Sequence, residues 1–145
     1  MKVLLDTSFL LPTLGIDVGD KVIKTLEKLE GTHSEIYYSQ FSILESIWVT
    51  AKLTGKMETP PEAVRTGLRS IIESGVYKQV KEDSEVFIEA LQLYLKGHRD
   101  LIDNILYANS LHHNMKLLTL DTELKNFIEN KKLKNTIITT DDILR

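Results

Sequence analysis

The sequence predicts an α/β fold in which helices cover both faces of a central parallel sheet of about five strands. Short apolar runs alternate with longer segments of helical periodicity along all 145 residues. That alternation is typical of a parallel sheet buried on both faces. No internal repeat, linker or low-complexity tract divides the chain, so we expect a single three-layer α/β/α domain over residues 1–145.

The first half of the chain predicts two strands and three helices. The run "KVLL" is the first strand, and "DTSFLLPTLG" turns to helical spacing before Pro12 and Gly15 break it. Residues 18–29 then carry the apolar stripe of an amphipathic helix. After the strand "EIYYS", a helix with Ser39 as its N-cap runs to Gly55, and another follows "PP" at 60–61 and ends before Gly75.

The second half continues the alternation. "VYKQV" predicts a strand, and the next helix has Asp83 as its cap and Gly97 as its stop. "DLIDNILYANSLHHN" is helical, "KLLTL" is a strand, and "DTELKNFIENKKL" is a short helix. "NTIIT" is the last strand, and no further element is predicted in the final "DDILR".

The composition excludes several kinds of site. With no cysteine there is neither a disulfide nor a thiolate metal site, which favours a reducing, cytoplasmic setting. The start of the chain has neither a signal-peptide pattern nor a membrane span. The net charge of −3 gives no global basic field for nucleic acid, so a phosphate-bearing partner needs local basic patches or a bridging metal ion.

Two aspartates stand where predicted strands end. Asp6 closes "KVLL" and Asp121 closes "KLLTL", and ligands of open parallel sheets gather at the carboxyl ends of strands. We expect these two strands to be neighbours, so that both carboxylates reach one edge of the sheet. Taken singly, each residue has an equally good interpretation as a helix N-cap.

Three further acids need an explanation of their own. Glu45 falls in the apolar part of its helix, where a buried carboxylate needs a cation, a salt bridge or a position at the rim. Asp100 and Asp103 are three residues apart at the start of a helix, so both can reach one site. Asp100 is a plausible cap, which leaves Asp103 unexplained. Clustered carboxylates of this kind suit Mg²⁺ or Mn²⁺.

Four segments in order resemble the motifs of the PIN-domain ribonucleases, many of which are VapC-type toxins. They are "VLLDTSFL", "SILESIW", "DNILYANSL" and "LLTLD", and together they extend over essentially the whole chain. Each motif alone is weakly specific, and their order and spacing carry the resemblance. Asn104 departs from the family, which more often has a small apolar residue there, and we expect it to alter only the helix surface.

The resemblance implies both chemistry and partners. Asp6, Glu45, Asp103 and Asp121 would be the acidic quartet that binds one or two Mg²⁺ or Mn²⁺ ions, with Asp100 as a less regular extra acid. Ser8 and Thr119 match hydroxyl positions that support the site. The implied activity is metal-dependent endonuclease cleavage of single-stranded RNA. The implied partners are a second copy of the chain and, for a toxin, a small antitoxin protein.

Basic residues near the site could contact the RNA backbone, although exposed Lys and Arg on helices are usually only solvated. The candidates are Lys52, Lys56, Arg65, Arg69, Lys96 and Arg99. Trp48 is expected to pack in the core or in a dimer interface, and His112 and His113 at the surface. A homodimer is expected because Ile43, Ile47, Trp48, Val64, Leu68, Ile71 and Ile72 exceed what one sheet face can cover.

Other functions remain open at this stage. The same fold could serve RNA processing or quality control, or could act only by binding a partner protein. A phosphoaspartate enzyme of the haloacid-dehalogenase type has a second acid two residues after the first, where this chain has Ser8. A receiver-type signalling domain usually has an acidic pair at the end of the first strand, where this chain has only Asp6.

Overall fold

Five parallel strands form the centre of the molecule. The computed structural model describes residues 1–145 and contains β1 (Lys2–Leu5), β2 (Glu35–Tyr38), β3 (Lys78–Gln79), β4 (Lys116–Leu118) and β5 (Ile137–Ile138). Their order across the sheet is β3-β2-β1-β4-β5, and every neighbouring pair is parallel. The predicted fold class is therefore confirmed.

Seven helices connect and follow the strands. They are α1 (Asp20–Glu30), α2 (Gln40–Thr54), α3 (Glu62–Glu73), α4 (Ser84–Leu95), α5 (Leu101–His112), α6 (Thr122–Asn130) and α7 (Thr140–Leu144), with two 3-10 turns at Thr7–Phe9 and Leu11–Leu14. The side chains of Ser39 and Asp83 cap α2 and α4, as predicted. None of these helices has the length and hydrophobicity that crossing a bilayer demands.

Side chains alternate across the sheet and divide the core into two layers. Val3 and Leu5 pack with α1 and α3 on one face, whereas Leu4 packs with α4, α5 and α6 on the other. All three are fully buried. Successive side chains of a strand point to opposite faces of the sheet, and helices cover both faces in this three-layer α/β/α arrangement. Successive positions of "KVLL" are therefore apolar.

The strand order of the sheet reverses beside β1. From β1 the chain adds β2 and β3 on one side, and it then places β4 and β5 on the other. The expected adjacency of β1 and β4 is confirmed by the register Leu5–Leu118. Their carboxyl ends therefore form the switch point at which open α/β sheets usually bind ligands.

Several expectations about packing were wrong. Trp48 is 55% exposed, so it does not pack in the core, and its alternative place in a dimer interface stays a prediction; Val64 and Ile71 are buried rather than surplus. Ile47 and Ile72 are indeed exposed. His113 is partly buried, and its Nε2 has no hydrogen-bond partner. The segment after β5 forms α7, which begins with a capping box between Thr139 and Asp142 and packs against α1.

Candidate active site

Asp6 is fixed at the end of β1 by hydrogen bonds on both carboxyl oxygens. Its Oδ1 accepts the backbone N–H of Ser8 at 3.0 Å, which caps the following 3-10 turn. Its Oδ2 accepts the hydroxyl of Thr119 at 2.5 Å. The residue is only 7% exposed. The cap interpretation of Asp6 is therefore correct, but it accounts for one oxygen only.

Thr119 joins the ends of β1 and β4. While its hydroxyl donates to Asp6, the same oxygen accepts the backbone N–H of Asp121 at 3.0 Å. Asp121 Oδ1 then accepts the N–H groups of Glu123 and Leu124, so Asp121 is the N-cap of α6. One buried hydroxyl thus holds two acidic residues of the switch point in register.

The second acidic pair lies at the start of α5. Asp100 is the N-cap, because its Oδ1 accepts the backbone N–H of Asp103 at 3.0 Å. Asp103 lies in the first turn of the helix, is partly buried and caps nothing. As the sequence predicted, both face the same site: they line a single cleft together with Asp121.

The pKa values show that these carboxyl groups crowd one another. Burial raises the pKa of Asp6 to about 6. The pKa of Asp103 is raised strongly, first by burial and then by its hydrogen bond to Asp121 and by the charges of Asp100, Asp121 and Asp6. The same hydrogen bond lowers the pKa of Asp121. Asp103 and Asp121 therefore share one proton when no cation is bound.

Glu45 completes the acidic lining from α2. The cleft has a volume of about 760 Å³. It is lined by Glu45, Trp48, Gly97, His98, Arg99, Asp100, Leu101, Ile102, Asp103, Asp121 and Glu123. Glu45 is half-buried. Its position therefore agrees better with the predicted place at the rim of the site than with a fully buried carboxylate. The four ion pairs of the molecule all lie elsewhere and leave the cleft carboxylates without a Lys or Arg partner.

The chemistry of this donor set fits a hard divalent cation. Carboxylate oxygens are the ligands that Mg²⁺ and Mn²⁺ prefer, and a cation would offset both the burial and the neighbouring charges that raise the pKa of Asp103. As the side chains stand, no group of three acidic or histidine residues is arranged so that it could hold a metal ion. Amide hydrogen bonds engage Oδ1 of Asp100 and Asp121. These capping bonds occupy only one oxygen of each of the two carboxylates.

Comparison with known proteins identifies the family. The family model described as "PIN domain" matches residues 3–130. The chain belongs to the PIN domain family. No curated protein sequence matches it.

Solved structures share the fold of this PIN domain. VapBC2 from Rickettsia felis, bound to a DNA fragment from its promoter, is 14% identical, with 96% of this chain and 98% of that chain covered and a TM-score of 0.66. FitAB bound to the IR36 DNA fragment is 17% identical, with 95% and 94% covered and a TM-score of 0.64. FitAcB from Neisseria gonorrhoeae is 17% identical, with 95% and 97% covered and a TM-score of 0.61.

His98 and Asn104 form a buried pair that sequence reasoning missed. The amide nitrogen of Asn104 donates to the carbonyls of His98, at 2.8 Å, and Ala90, at 3.3 Å. Its Oδ1 is therefore left to accept, and it lies 2.6 Å from Nδ1 of His98, so that nitrogen carries the proton. The expectation that Asn104 alters the helix surface was wrong, because the residue is fully buried and fixes the loop before α5.

The predicted supporting and basic residues take different positions in the PIN domain. Ser8 contacts Asp6 through its backbone N–H, whereas Thr119 uses its hydroxyl. Of the six basic candidates, Arg99 lines the acidic cleft, and Arg65 lies in a groove between α2 and α3 with Glu62 3.8 Å away. The other four are exposed and line neither the cleft nor that groove: Lys52, Lys56, Arg69 and Lys96.

Proposed function

We propose that this PIN domain is a metal-dependent endoribonuclease that cleaves phosphodiester bonds of single-stranded RNA. The observation that carries the proposal is the crowding of Asp103 with Asp100 and Asp121 in one cleft, next to the charge of the buried Asp6 and without an ion pair to Lys or Arg. Such an arrangement destabilises the metal-free fold and is retained at sites that bind a cation. The PIN fold and the motif resemblance support the same reaction.

Asp6, Glu45, Asp103 and Asp121 would hold Mg²⁺ or Mn²⁺, with Asp100 as an additional ligand. When bound, a hard divalent cation lowers the pKa of an attacking water and neutralises charge on the phosphoryl oxygens. Asp121 or Asp103 would accept the proton of the attacking water at a carboxylate oxygen. Thr119 positions both Asp6 and Asp121 through its hydroxyl, and Ser8 supports Asp6 through its backbone N–H.

Arg99 is the basic residue best placed to contact the substrate backbone. Its guanidinium carbon lies 4.5 Å from the ring centroid of Tyr94, and it makes none of the molecule's ion pairs. The aromatic ring holds the group beside the acidic cleft while its N–H donors remain available to a phosphate. Lys96 and Lys52 are exposed outside the cleft, and their contact with RNA stays a prediction.

The cleavage experiment compares wild-type protein with Asp6→Asn and Asp103→Asn on an unstructured RNA. We expect cleavage with Mg²⁺ or Mn²⁺, none in EDTA, and a rate lower by orders of magnitude in either variant. Asp17→Asn is the matched control, because Asp17 is exposed and outside the cleft. Undiminished cleavage in EDTA would refute the assignment, and a folded but inert protein would favour a non-catalytic binding module.

The biological role we propose is the toxin of a VapBC-type pair in the cytoplasm, with a small antitoxin as partner. The groove between α2 and α3 is lined by Ile47, Met57, Val64 and Leu68 and has a volume of about 500 Å³, which suits an apolar segment of such a partner. Expression of this chain should arrest growth, and co-expression of the product of the adjacent upstream gene should restore it. Growth unaffected by active enzyme would favour RNA processing or quality control.

A further inference from the structure

Trp48 is an exposed aromatic residue on the wall of the acidic cleft. It is the only tryptophan of the chain, it is 55% exposed, and it lines the cleft one helical turn after Glu45. A side chain of this size in a small protein normally buries most of its surface. Its position at the cleft therefore calls for an occupant.

The packing of α2 shows that the core does not need Trp48. The helix turns Ser42, Ser46 and Thr50 inward, and all three are buried. The hydroxyls of Ser46 and Thr50 donate to carbonyls of their own helix at 2.7 and 2.8 Å, whereas the buried hydroxyl of Ser42 has no hydrogen-bond partner, so the inward face consists of small side chains. Trp48 projects away from that face and is free to contact a ligand.

The charges around Trp48 indicate which ligand. Glu45 precedes it by one turn and Lys52 follows it by one turn, so an acid, an aromatic and a base lie along one side of α2. The rise from Glu45 to Lys52 is roughly 10 Å at about 1.5 Å per residue. Arg99 also lines the cleft, where its guanidinium lies over the ring of Tyr94 and forms no ion pair.

We propose that Trp48 stacks on a nucleobase of single-stranded RNA, next to the phosphate that the acidic cluster cleaves. The inference rests on the proposed function and names a subsite for its substrate. In a nucleotide strand, phosphates alternate with nucleobases. Along α2, the proposed metal ligand Glu45 and the positively charged Lys52 would face phosphates, and Trp48 between them would face a nucleobase. A purely apolar protein segment would leave Glu45, Lys52 and Arg99 without partners, so the cleft fits RNA better.

Fluorescence gives a direct readout, because every tryptophan photon comes from Trp48. The probe is an unstructured 12-nucleotide RNA, which is unlabelled for tryptophan fluorescence and carries a 5′ dye for anisotropy. The buffer contains Ca²⁺, which binds oxygen ligands in a flexible geometry unlike that of Mg²⁺. We expect RNA to quench the emission of an unlabelled complex to saturation, and an abasic analogue to quench it much less. An emission unchanged at saturating RNA would overturn the proposal.

Variants distinguish stacking from general hydrophobic contact. Dye anisotropy should show that Trp48→Phe binds the RNA nearly as tightly as wild type, whereas Trp48→Leu binds roughly 5- to 100-fold more weakly. Ile23→Ala, at an exposed position of α1 outside the cleft, is the control and should be unchanged. Equal RNA affinity of wild type and Trp48→Leu would overturn the proposed subsite. A tryptophan emission that changes only with protein concentration would also overturn it, and would assign Trp48 to an interface between copies of the chain.

The outcomes separate this inference from the nuclease assignment. RNA-dependent quenching without cleavage in Mg²⁺ or Mn²⁺ would refute the proposed function and leave the stacking subsite in place. Metal-dependent cleavage with unchanged affinity in Trp48→Leu would do the reverse.

Discussion

Asp103 is the acidic residue of the cleft whose pKa is raised most, first by burial and then by its acidic neighbours. Its carboxyl group is partly buried, forms a hydrogen bond with Asp121 and faces the charges of Asp100 and Asp6. Asparagine cannot ionise, so it adds no charge to this cluster, and its amide can donate to Asp121 in place of the shared proton. We therefore expect Asp103→Asn to raise the metal-free stability by about 1–2 kcal/mol, or several degrees in Tm, while abolishing cleavage.

Thermal unfolding in EDTA measures this effect, with Asp17→Asn as the matched control. A melting temperature below that of wild type, with the fold intact, would instead identify Asp103 as a structural hydrogen-bonding residue.

Asp6 makes the metal-free stability depend on pH. Its pKa is raised from 3.8 to about 6 in the folded protein, so the folded state binds the proton more tightly than the unfolded chain does. The resulting stabilisation is complete below about pH 4 and is lost as the pH rises through about 6, a change of about 3 kcal/mol. Urea midpoints in EDTA between pH 4 and 7.5 should fall less in Asp6→Asn than in wild type. Parallel profiles would contradict the assignment.

The sequence predicts where the acidic residues lie in the fold because their positions follow from local rules. Asp6 and Asp121 end apolar runs, and carboxyl ends of parallel strands meet at one edge. The caps at Asp6, Asp100 and Asp121 are equally local. Asn104 could not be interpreted in this way, because its partners include the carbonyl of Ala90 in another helix. Only tertiary packing reveals that contact.

At the scale of the element, the start of α5 depends on the side chain of Asn104. It satisfies Nδ1 of His98 and two backbone carbonyls in a fully buried position. Asn104→Leu keeps the volume but leaves these groups without partners, so we expect a loss of about 2–4 kcal/mol of unfolding free energy. Asn126→Leu, at an exposed position of α6, is the control.

Urea unfolding of both variants gives the comparison. A loss below about 0.5 kcal/mol for Asn104→Leu would show that water replaces the amide at no cost, and that the pair does not hold the loop.

Elements with strong internal signals were predicted, and an element that depends on tertiary contacts was missed. Proline, glycine and capping residues delimit α2, α3 and α4 in the sequence itself. The final helix α7 has only five residues, too few to be stable alone. It forms because Thr139 and Asp142 make a capping box and Ile143 packs into the core beside α1.

At the scale of the whole molecule, exposed apolar side chains favour self-association. Ile47 and Ile72 are 45% and 50% exposed. A second stripe on α4 consists of Phe87, Ile88, Leu91 and Leu95. Patches of this kind usually mark an interface, and two-fold dimers are the commonest oligomers. We expect light scattering at micromolar concentration to give twice the 16.6 kDa of one chain.

A charge placed in the interface should break the dimer. Ile72→Glu is expected to give the mass of one chain, and Ile23→Glu on α1 is the control that should leave the mass unchanged. A single-chain mass for wild type that does not rise on concentration would refute the dimer and leave the nuclease assignment standing.

The central claim is that the acidic cleft is a divalent metal site, and calorimetric titration with Mn²⁺ tests it most directly. Metal binding must displace protons, because Asp6 and the Asp103–Asp121 pair bind protons near neutral pH in the metal-free protein. At pH 6 we predict saturable Mn²⁺ binding that releases protons. The proton release should appear as a binding enthalpy that depends on the ionisation enthalpy of the buffer. The Mn²⁺ binding should be lost in Asp103→Asn but not in Asp17→Asn. Absence of saturable binding to wild type, or binding unaffected by Asp103→Asn, would contradict the account.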